Sequence, residues 1–400
     1  MLSLKNIQEA QERIKSIVNK TPFTFAPHLS KETQIDIYLK KENLQVTGAF
    51  KIRGAYNKIA SLSKEEMQGG VVAASAGNHA QGVALSASVF CIRSVIVMPE
   101  STPLTKVNGV KHYGAEVILH GANYDEAYAY ALRFGKENRL TFIHPFEDEA
   151  VMCGQGSIAL EILDECEALD AVVVPVGGGG LIAGMASAIK EINPNIEVIG
   201  VSASGAPALK NSYELGHAVD SVSVRTIADG IAVRDTSEIT LKYIQKNVDR
   251  FISVDDEEIA SAILFLLEKQ KLVVEGAGAV GVAAALYNKL EFLKGKKVAI
   301  VLSGGNMDVT LLNVIIEKGL LKSARKMNIT VTLVDKPGSL KRFTEILEAL
   351  NANIVHIAYD RTSISLDYGD ANVTVHMETK GYEHQVEIRD ALKAEGYLRG

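Results

Sequence analysis

The sequence is poor in the features that mark several classes of protein. It has only 3 cysteines in 400 residues, and Cys91, Cys153 and Cys166 show no CxxC spacing. An odd and sparse set argues against a disulfide framework and favours free thiols in a reducing cytoplasm. No group of histidine, cysteine and carboxylate residues has the spacing of metal ligands, so no metal site is expected.

Charge and hydropathy exclude further classes. The net charge is -6 and the pI is near 5.9, so nucleic acid and acidic membrane surfaces are not expected partners. Polar residues interrupt the first residues at once, which is unlike a signal peptide. The apolar stretch at 277–286 contains glycine and is too short to cross a bilayer.

What remains is an ordinary globular composition, with 47% hydrophobic and 22% charged residues. A chain of 400 residues exceeds one ordinary core, so two or more domains are expected. Apolar runs alternate with helical patterns over the first three quarters of the chain. Strands are predicted at 71–74, 94–98, 115–119, 171–176, 197–201 and 297–302. This alternation predicts an α/β fold with parallel sheets covered by helices on both faces.

The pattern changes after Leu320. Residues 321–327 are polar and predict a linker. Strands are then predicted at 329–334, 352–359 and 372–378, with helices ending near Leu350 and spanning 383–395. The order β-α-β-β-α predicts a separate, smaller α+β domain.

One lysine stands in an unusual setting. Lys51 follows the bulky apolar Phe50 and the turn-forming pair Thr47-Gly48. An amine that is desolvated by such neighbours has a lowered pKa and can attack a carbonyl. The ordinary alternative is a solvated lysine on a helix.

Glycine is concentrated in a loop that follows a buried strand and opens a helix. Val176 is followed by Gly177, Gly178, Gly179, Gly180 and Leu181. Four glycines allow backbone N–H groups to approach a phosphate, and the helix N-terminus adds a partial positive charge. The loop contains no lysine or arginine, so backbone donors would do most of the neutralising. A plain strand-to-helix turn is the alternative.

Three further turns carry polar side chains. Asn78 lies in a strand-to-helix junction, 75–82, whose N–H groups suit a carboxylate. Ser303 begins a glycine turn at the carboxyl end of a strand, where ligands bind in α/β sheets. Glu275 precedes a helical run, where a carboxylate is also an ordinary cap.

Together these segments resemble the fold-type II pyridoxal-phosphate enzymes, which have a tryptophan synthase beta-like fold, and in particular the serine/threonine dehydratase family. The resemblance implies that Lys51 carries pyridoxal 5'-phosphate covalently, that Asn78 bonds its phenolic oxygen and that Ser303 bonds its pyridine nitrogen. The implied cofactor-binding residues are Phe50, Lys51, Asn78, Gly177, Gly178, Gly179, Gly180, Leu181 and Ser303. The implied substrate-binding residues are Ser75, Ala76, Gly77, Asn78 and His79. Glu275 and Gly230 match positions near the ring.

The last segment resembles an ACT domain, a ferredoxin-like module that binds small amino acids, with the sequence DKPGSL at its first turn. The implied organisation is a catalytic domain at 1–320, with a small subdomain at about 52–150, and an ACT-like domain at 328–400. Asp335, Gly338, Leu340 and Asn353 are the expected effector contacts. After Gly396 only four residues remain for a fourth strand.

The resemblance implies dehydration and deamination of L-threonine to 2-oxobutanoate and ammonia, with L-serine to pyruvate as a side activity. It also implies a homotetramer in the cytoplasm, regulated by isoleucine or valine. Two alternatives stand beside this interpretation. A serine racemase on the same scaffold would need a serine where this chain has Ala76. A non-catalytic amino-acid sensor would not need to retain Lys51, Asn78 and Ser303.

Overall fold

The computed structural model describes residues 2–166 and 168–398. The described residues form two compact units, which divide between Asp308 and Val309. The strands of the described residues are β1 (Phe23–Phe25), β2 (Asp36–Lys40), β3 (Val71–Ala74), β4 (Ser94–Met98), β5 (Glu116–Leu119), β6 (Thr141–Phe142), β7 (Ala171–Pro175), β8 (Glu197–Ala203), β9 (Arg250–Val254), β10 (Lys297–Val301), β11 (Lys326–Val334), β12 (Asn353–Asp360) and β13 (Asp370–Glu378).

Helices follow most of the strands. They are α1 (Leu4–Ile14), α2 (Pro27–Thr33), α3 (Lys51–Ala60), α4 (Lys64–Gly69), α5 (Asn78–Val89), α6 (Leu104–Lys111), α7 (Tyr124–Asn138), α8 (Glu149–Glu165), α9 (Gly180–Ile192), α10 (Ala208–Leu215), α11 (Glu238–Asn247), α12 (Asp256–Phe265), α13 (Gly276–Leu286), α14 (Val309–Lys322), α15 (Ser339–Ala349) and α16 (Tyr382–Ala394). In the part of the chain that the structure describes, no helix is long and apolar enough to cross a membrane.

The first unit contains two sheets. A six-stranded sheet has the order β1-β2-β10-β7-β8-β9, in which only the pairing of β1 with β2 is antiparallel. A four-stranded parallel sheet has the order β5-β4-β3-β6, and its strands lie between residues 71 and 142. Every residue of β3, β4 and β7 is buried, as expected for parallel strands that helices cover on both faces. The predicted α/β class with two parallel-sheet subdomains is confirmed.

The second unit is an α+β unit of ACT-like form. Its sheet is antiparallel with the order β11-β13-β12. Alternate residues of β11 are buried, so one face of this sheet packs on α15 and α16. Tyr397 and Leu398 pack against this core and belong to no strand. The last two residues of the expected fourth strand, 399 and 400, lie outside the described residues.

The boundary between the units differs from the predicted linker. Residues 321–327 are not an extended connection, because α14 continues to Lys322 and β11 begins at Lys326. The chain divides after Asp308 instead, where α14 begins. The polar residues at this point therefore belong to the ends of α14 and β11 and to the short, partly exposed turn between them, within the second unit.

Candidate active site

The predicted lysine, Lys51, is the first residue of helix α3 and lies near the carboxyl end of β10 in the six-stranded sheet. The turn before it is held against the end of β10, since Phe50 N donates to Ser303 O at 3.1 Å and Gly305 N to Gly48 O at 2.8 Å. Gly48 has a φ of +72° and lies so close to the Asn306 side chain that a Cβ would be 2.4 Å from Asn306 Oδ1. Glycine is therefore required at this turn. The hydrogen bond from Phe50 N to Ser303 O therefore brings the start of α3, which carries Lys51, next to the turn that Ser303 begins.

The Lys51 amine lies in a sheltered position. Its Nζ donates to Pro145 O at 2.7 Å and lies 5.3 Å from the centre of the Phe50 ring. Burial lowers the pKa of Lys51 to about 8, and the negative charge of Glu275 limits the decrease. A substantial neutral fraction near neutral pH is what a nucleophilic or basic lysine requires.

Glu275 is a central residue of this site. It is 4% exposed, and burial raises the pKa of its carboxyl to about 7. Asn78 Nδ2 donates to Glu275 Oε1 at 2.8 Å, and the glycine turn after β10 lies against the carboxyl, because a Cβ on Gly304 would be 2.4 Å from Oε1. Glu275 is therefore more than a helix cap, although it does precede α13.

A chain of amide groups extends from this carboxyl. Asn306 Nδ2 donates to Asn78 Oδ1 at 2.8 Å and also to Thr47 O at 2.8 Å. Asn78 begins α5, after β3 of the smaller sheet, whereas Asn306 follows β10 of the larger sheet. The network therefore joins the two subdomains at the site. Sequence reasoning assigned no role to Asn306 or Thr47, although an amide directly after a strand-end glycine turn was the available signal.

The glycine loop contributes unused donors. In the described part of the chain, no hydrogen bond has a backbone N–H of Gly177, Gly178, Gly179, Gly180 or Leu181 as its donor. These groups precede or open α9, whose N-terminus favours an anion. The residues present thus fit a phosphate group.

Side chains are excluded from this loop by close packing. A Cβ on Gly178 would be 2.4 Å from the Phe146 ring, and a Cβ on Gly177 would be 2.8 Å from Ile231 Cα. Gly179 has a φ of +88°. Phe146 was not predicted from the sequence, because its proximity to Gly178 depends on tertiary packing.

The other predicted contacts surround the same centre. In the 75–79 segment, Ser75 Oγ accepts from Gly77 N at 3.2 Å, and no N–H of Ala76, Asn78 or His79 donates a hydrogen bond among the described residues. His79 Nε2 bonds to Ile143 O at 2.8 Å, and burial lowers the pKa of this ring to about 3. His79 is therefore neutral.

Ser303 and Gly230 lie at the same centre. Ser303 is 2% exposed, and its carbonyl oxygen accepts the hydrogen bond from Phe50 N. A Cβ on Gly230 would be 3.2 Å from Glu275 Oε1.

The expected effector contacts lie in the second unit but do not form one cluster. Asp335 accepts from Tyr359 Oη at 3.0 Å and pairs with Arg361 at 3.0 Å. Gly338 precedes α15 with a φ of +90°, and Leu340 packs against the core of this unit. Asn353 bonds instead to Glu378 at 2.8 Å, at the end of β12 opposite to Tyr359.

The site residues thus lie at the carboxyl ends of β3, β7 and β10, where parallel sheets bind ligands. A family model described as "Pyridoxal-phosphate dependent enzyme" matches residues 14–304. The L-threonine ammonia-lyase of Thermotoga maritima is 50% identical over 397 residues, 99% of this chain and 98% of that protein.

Two solved structures are similar. The processed form of threonine deaminase isoform 2 from Solanum lycopersicum has a TM-score of 0.76 and 38% identity, covering 80% of this chain and 87% of that chain. Maize serine racemase has a TM-score of 0.75 and 36% identity, covering 80% and 98%. A lysine with a lowered pKa beside a phosphate-sized set of free N–H donors is the expected site for this cofactor, and the chain belongs to the family of pyridoxal-phosphate dependent enzymes.

Proposed function

We propose that this enzyme is an L-threonine ammonia-lyase, a carbon–nitrogen lyase that converts L-threonine to 2-oxobutanoate and ammonia. L-serine, which would give pyruvate, is the expected side substrate. The observation that carries the proposal is Lys51, a half-buried amine with a pKa lowered to about 8, placed beside the amide network of Asn78 and Asn306. The relative from Thermotoga maritima with the same activity matches nearly the whole chain.

The residues present would hold pyridoxal 5'-phosphate at both ends. The N–H groups of 177–181 would receive its phosphate, Ser303 its pyridine nitrogen and Asn78 its phenolic oxygen, while Lys51 would form the covalent attachment. When bound, the cofactor supplies an electron sink that acidifies the substrate Cα proton. A hydroxyl partner such as Ser303 leaves the ring nitrogen largely unprotonated, which favours prompt loss of a β-substituent.

The protein groups supply binding and proton transfer. The unused N–H groups at the start of α5 suit the substrate carboxylate. Neutral Lys51 would remove the Cα proton, and the β-hydroxyl would leave together with that proton as water. Hydrolysis then releases the substrate's amino group as ammonia and leaves a carbonyl oxygen in its place. In total, one threonine gives one 2-oxobutanoate and one ammonia. Ala76, which has no proton to donate, stands where racemisation would require a second acid.

The test is turnover of the purified enzyme with L-threonine and L-serine, following oxo acid, ammonia and the chirality of the remaining substrate. Stoichiometric 2-oxobutanoate and ammonia are expected, with threonine preferred. Formation of D-serine as the main product would favour the racemase function. Absence of any product from either amino acid would favour a sensor.

For the second unit we propose amino-acid regulation of a homo-oligomer, most simply a tetramer. The βαββα order of 326–394 and the glycine-led turn before α15 support an ACT-like effector module. Asp335, Gly338 and Leu340 lie around one turn, whereas Asn353 is distant from it in the same chain. An effector held between two protomers would allow both to contribute. Isoleucine and valine are the proposed effectors.

We also propose a cytoplasmic location. Cys91, Cys153 and Cys166 are free thiols in the structure, which is the usual state in a reducing compartment. Fractionation of the native cells, followed by activity measurement, tests this assignment.

A further inference from the structure

Four charged side chains are buried on elements that carry or border the candidate active site. Lys40, Glu42, Arg53 and Glu161 have side-chain exposures of 0%, 0%, 0% and 8%. We call these four residues the buried charge cluster. Two cations and two carboxylates give it no net charge, and charged residues of these types are rarely buried unless they are paired.

Arg53 is the centre of this cluster. Its guanidinium bonds to Glu42 through Nε at 2.8 Å and Nη2 at 2.9 Å, and to Glu161 through Nη1 at 2.6 Å and Nη2 at 3.0 Å. Nη1 also donates to Ser157 Oγ at 3.1 Å. Lys40 Nζ pairs with Glu161 at 2.6 Å and donates to Thr21 O at 2.7 Å. The planar fork of arginine makes such bidentate contacts highly directional.

The cluster joins elements that border the site. Lys40 ends β2, Glu42 opens the short turn at 42–44, Arg53 lies in the first turn of α3, and Glu161 lies in α8. Helices α3 and α8 are in close contact, because a Cβ on Gly154 would be 2.4 Å from Arg53 O.

Both sides of the hydrogen bond from Phe50 N to Ser303 O depend on these elements. Arg53 follows Lys51 by two residues. On the other side, Asn43 N donates to Leu302 O at 3.0 Å, directly before Ser303. The turn that Glu42 opens therefore holds the end of β10, while Arg53 holds the start of α3.

Stability alone is a weak reason for this arrangement. Desolvation offsets most of the attraction within a buried ion pair, and apolar replacements of similar volume are often no less stable. What such a cluster provides is a unique geometry, because every donor must meet its acceptor.

We propose that the buried charge cluster is a positioning device for catalysis: it holds the start of α3, and thus the Lys51 amine, in place relative to Ser303. The inference depends on the proposed roles of Lys51 and Ser303. Arg53 and Glu161 act as positioning residues, since neither touches the reacting groups.

The main variant is Arg53→Lys, which keeps the charge and loses the fork. The control is Glu165→Gln, which removes an exposed pair with Lys20 at 3.4 Å on the same helix as Glu161. Hydrogen exchange of the apoprotein is measured for the Phe50, Arg53 and Gly54 amides, which bond to Ser303 O, Phe50 O and Gln155 Oε1. Exchange and steady-state kinetics with threonine are then compared.

For Arg53→Lys we expect exchange of these three amides to rise at least fivefold. We also expect kcat to fall at least tenfold while KM changes less than threefold. Glu165→Gln should leave all of these quantities within twofold of the parent. Parental exchange and kcat in folded Arg53→Lys would overturn the proposal, as would a loss of kcat that only matches a smaller folded fraction.

If Arg53→Lys does not fold, Ser157→Ala decides, because it removes one bond from Arg53 Nη1 and leaves all four charges paired. At least twofold faster exchange at the same amides with lower kcat supports positioning, and parental values reject it. If the parent enzyme does not turn over threonine, the proposed function fails, while the exchange measurement still tests whether the cluster holds α3.

Discussion

At the scale of single residues, the candidate site contains two titratable groups of opposite type, the half-buried Lys51 amine and the buried Glu275 carboxyl. Lys51 has a lowered pKa and Glu275 a raised one, and desolvation is the main cause of both shifts. Titratable groups shifted toward neutral pH are frequent at functional sites. Of the two lysines that precede this segment, Lys40 is bound within the buried charge cluster, and partial burial lowers the pKa of Lys41 as well.

Replacing Lys51 by alanine should abolish covalent cofactor attachment and lower kcat by about 10²–10⁴-fold through loss of the base alone. In the parent apoprotein, attachment should accelerate with pH around a midpoint near 8, because only the neutral amine reacts. Borohydride trapping followed by peptide mapping measures the covalent attachment and its pH dependence, and steady-state kinetics with threonine measures kcat. Lys41→Ala is the matched control and should behave as the parent. Trapped cofactor on another lysine of the Lys51→Ala variant would contradict the assignment.

Glu275 should reveal its raised pKa in the stability of the apoprotein. The native carboxyl keeps its proton up to about pH 7, whereas in the unfolded chain it loses it near 4.5, so this group destabilises the fold as pH rises between these values. The glutamine of Glu275→Gln does not ionise, so the variant does not lose stability in this way as the pH rises. The free energy of unfolding of the variant should gain on the parent by up to about 3 kcal/mol between pH 4.5 and 7.

Urea unfolding at several pH values measures this difference. Glu137→Gln, at an exposed position of α7, serves as the control and should show no comparable trend. A pH-independent difference between Glu275→Gln and the parent would mean that the buried carboxyl is ionised throughout.

At the scale of elements, the glycine loop before α9 illustrates how packing and binding share one constraint. Phe146 lies against Gly178 and Gly180, so the loop can tolerate no side chain while this ring is present. The sequence suggests that these glycines are needed to bind a phosphate. Packing against the Phe146 ring is a second reason for glycine at these positions.

Gly178→Ala should destabilise the apoprotein by about 1–3 kcal/mol through overpacking against the Phe146 ring, and it should weaken cofactor affinity. Combining it with Phe146→Ala should restore part of the lost affinity, because the second change removes the clash. Thermal unfolding and cofactor titration of both single variants and the double variant measure the coupling. Strictly additive effects would show that Phe146 does not limit this loop.

At the scale of the whole molecule, the two units have separate cores. The family match ends at residue 304, just before the division at 308. We therefore expect the second unit to be dispensable for the chemistry proposed here and to have a regulatory role.

A chain that ends at Asp308 should retain threonine turnover within about threefold and lose any response to isoleucine and valine. In the full chain, the expected response is a shift of about 5–150-fold in apparent affinity, the usual range of allosteric coupling. Asp335→Ala should abolish it, and Asp367→Ala, in an exposed loop, should not. An equal response in the truncated and full chains would place the effector site in the first unit.

Much of this molecule could be inferred from local order along the chain. The strand and helix alternation, the apolar runs of β3, β4 and β7, and the turn segments around Lys51, Asn78 and Ser303 are local features. Parallel strands buried on both faces need continuous apolar runs, and turns near ligands need particular residues. For that reason the fold class was predictable, and the segments that carry the candidate site residues could be recognised in the sequence.

Other features arise only when distant segments meet. The Asn78–Glu275 bond joins residues 197 positions apart, and the contact of Phe146 with Gly178 depends on how α9 packs. The unit boundary was misplaced because a polar turn between α14 and β11 resembles a linker when read alone. Charges such as Arg53 and Glu42 look like solvated surface in the sequence, since composition cannot show that burial and pairing occur together. Hydrogen bonds and ion pairs between residues that are distant in sequence form only when the chain is packed. The pKa values of Lys51 and Glu275 therefore depend on the tertiary structure, because burial is the main cause of both shifts.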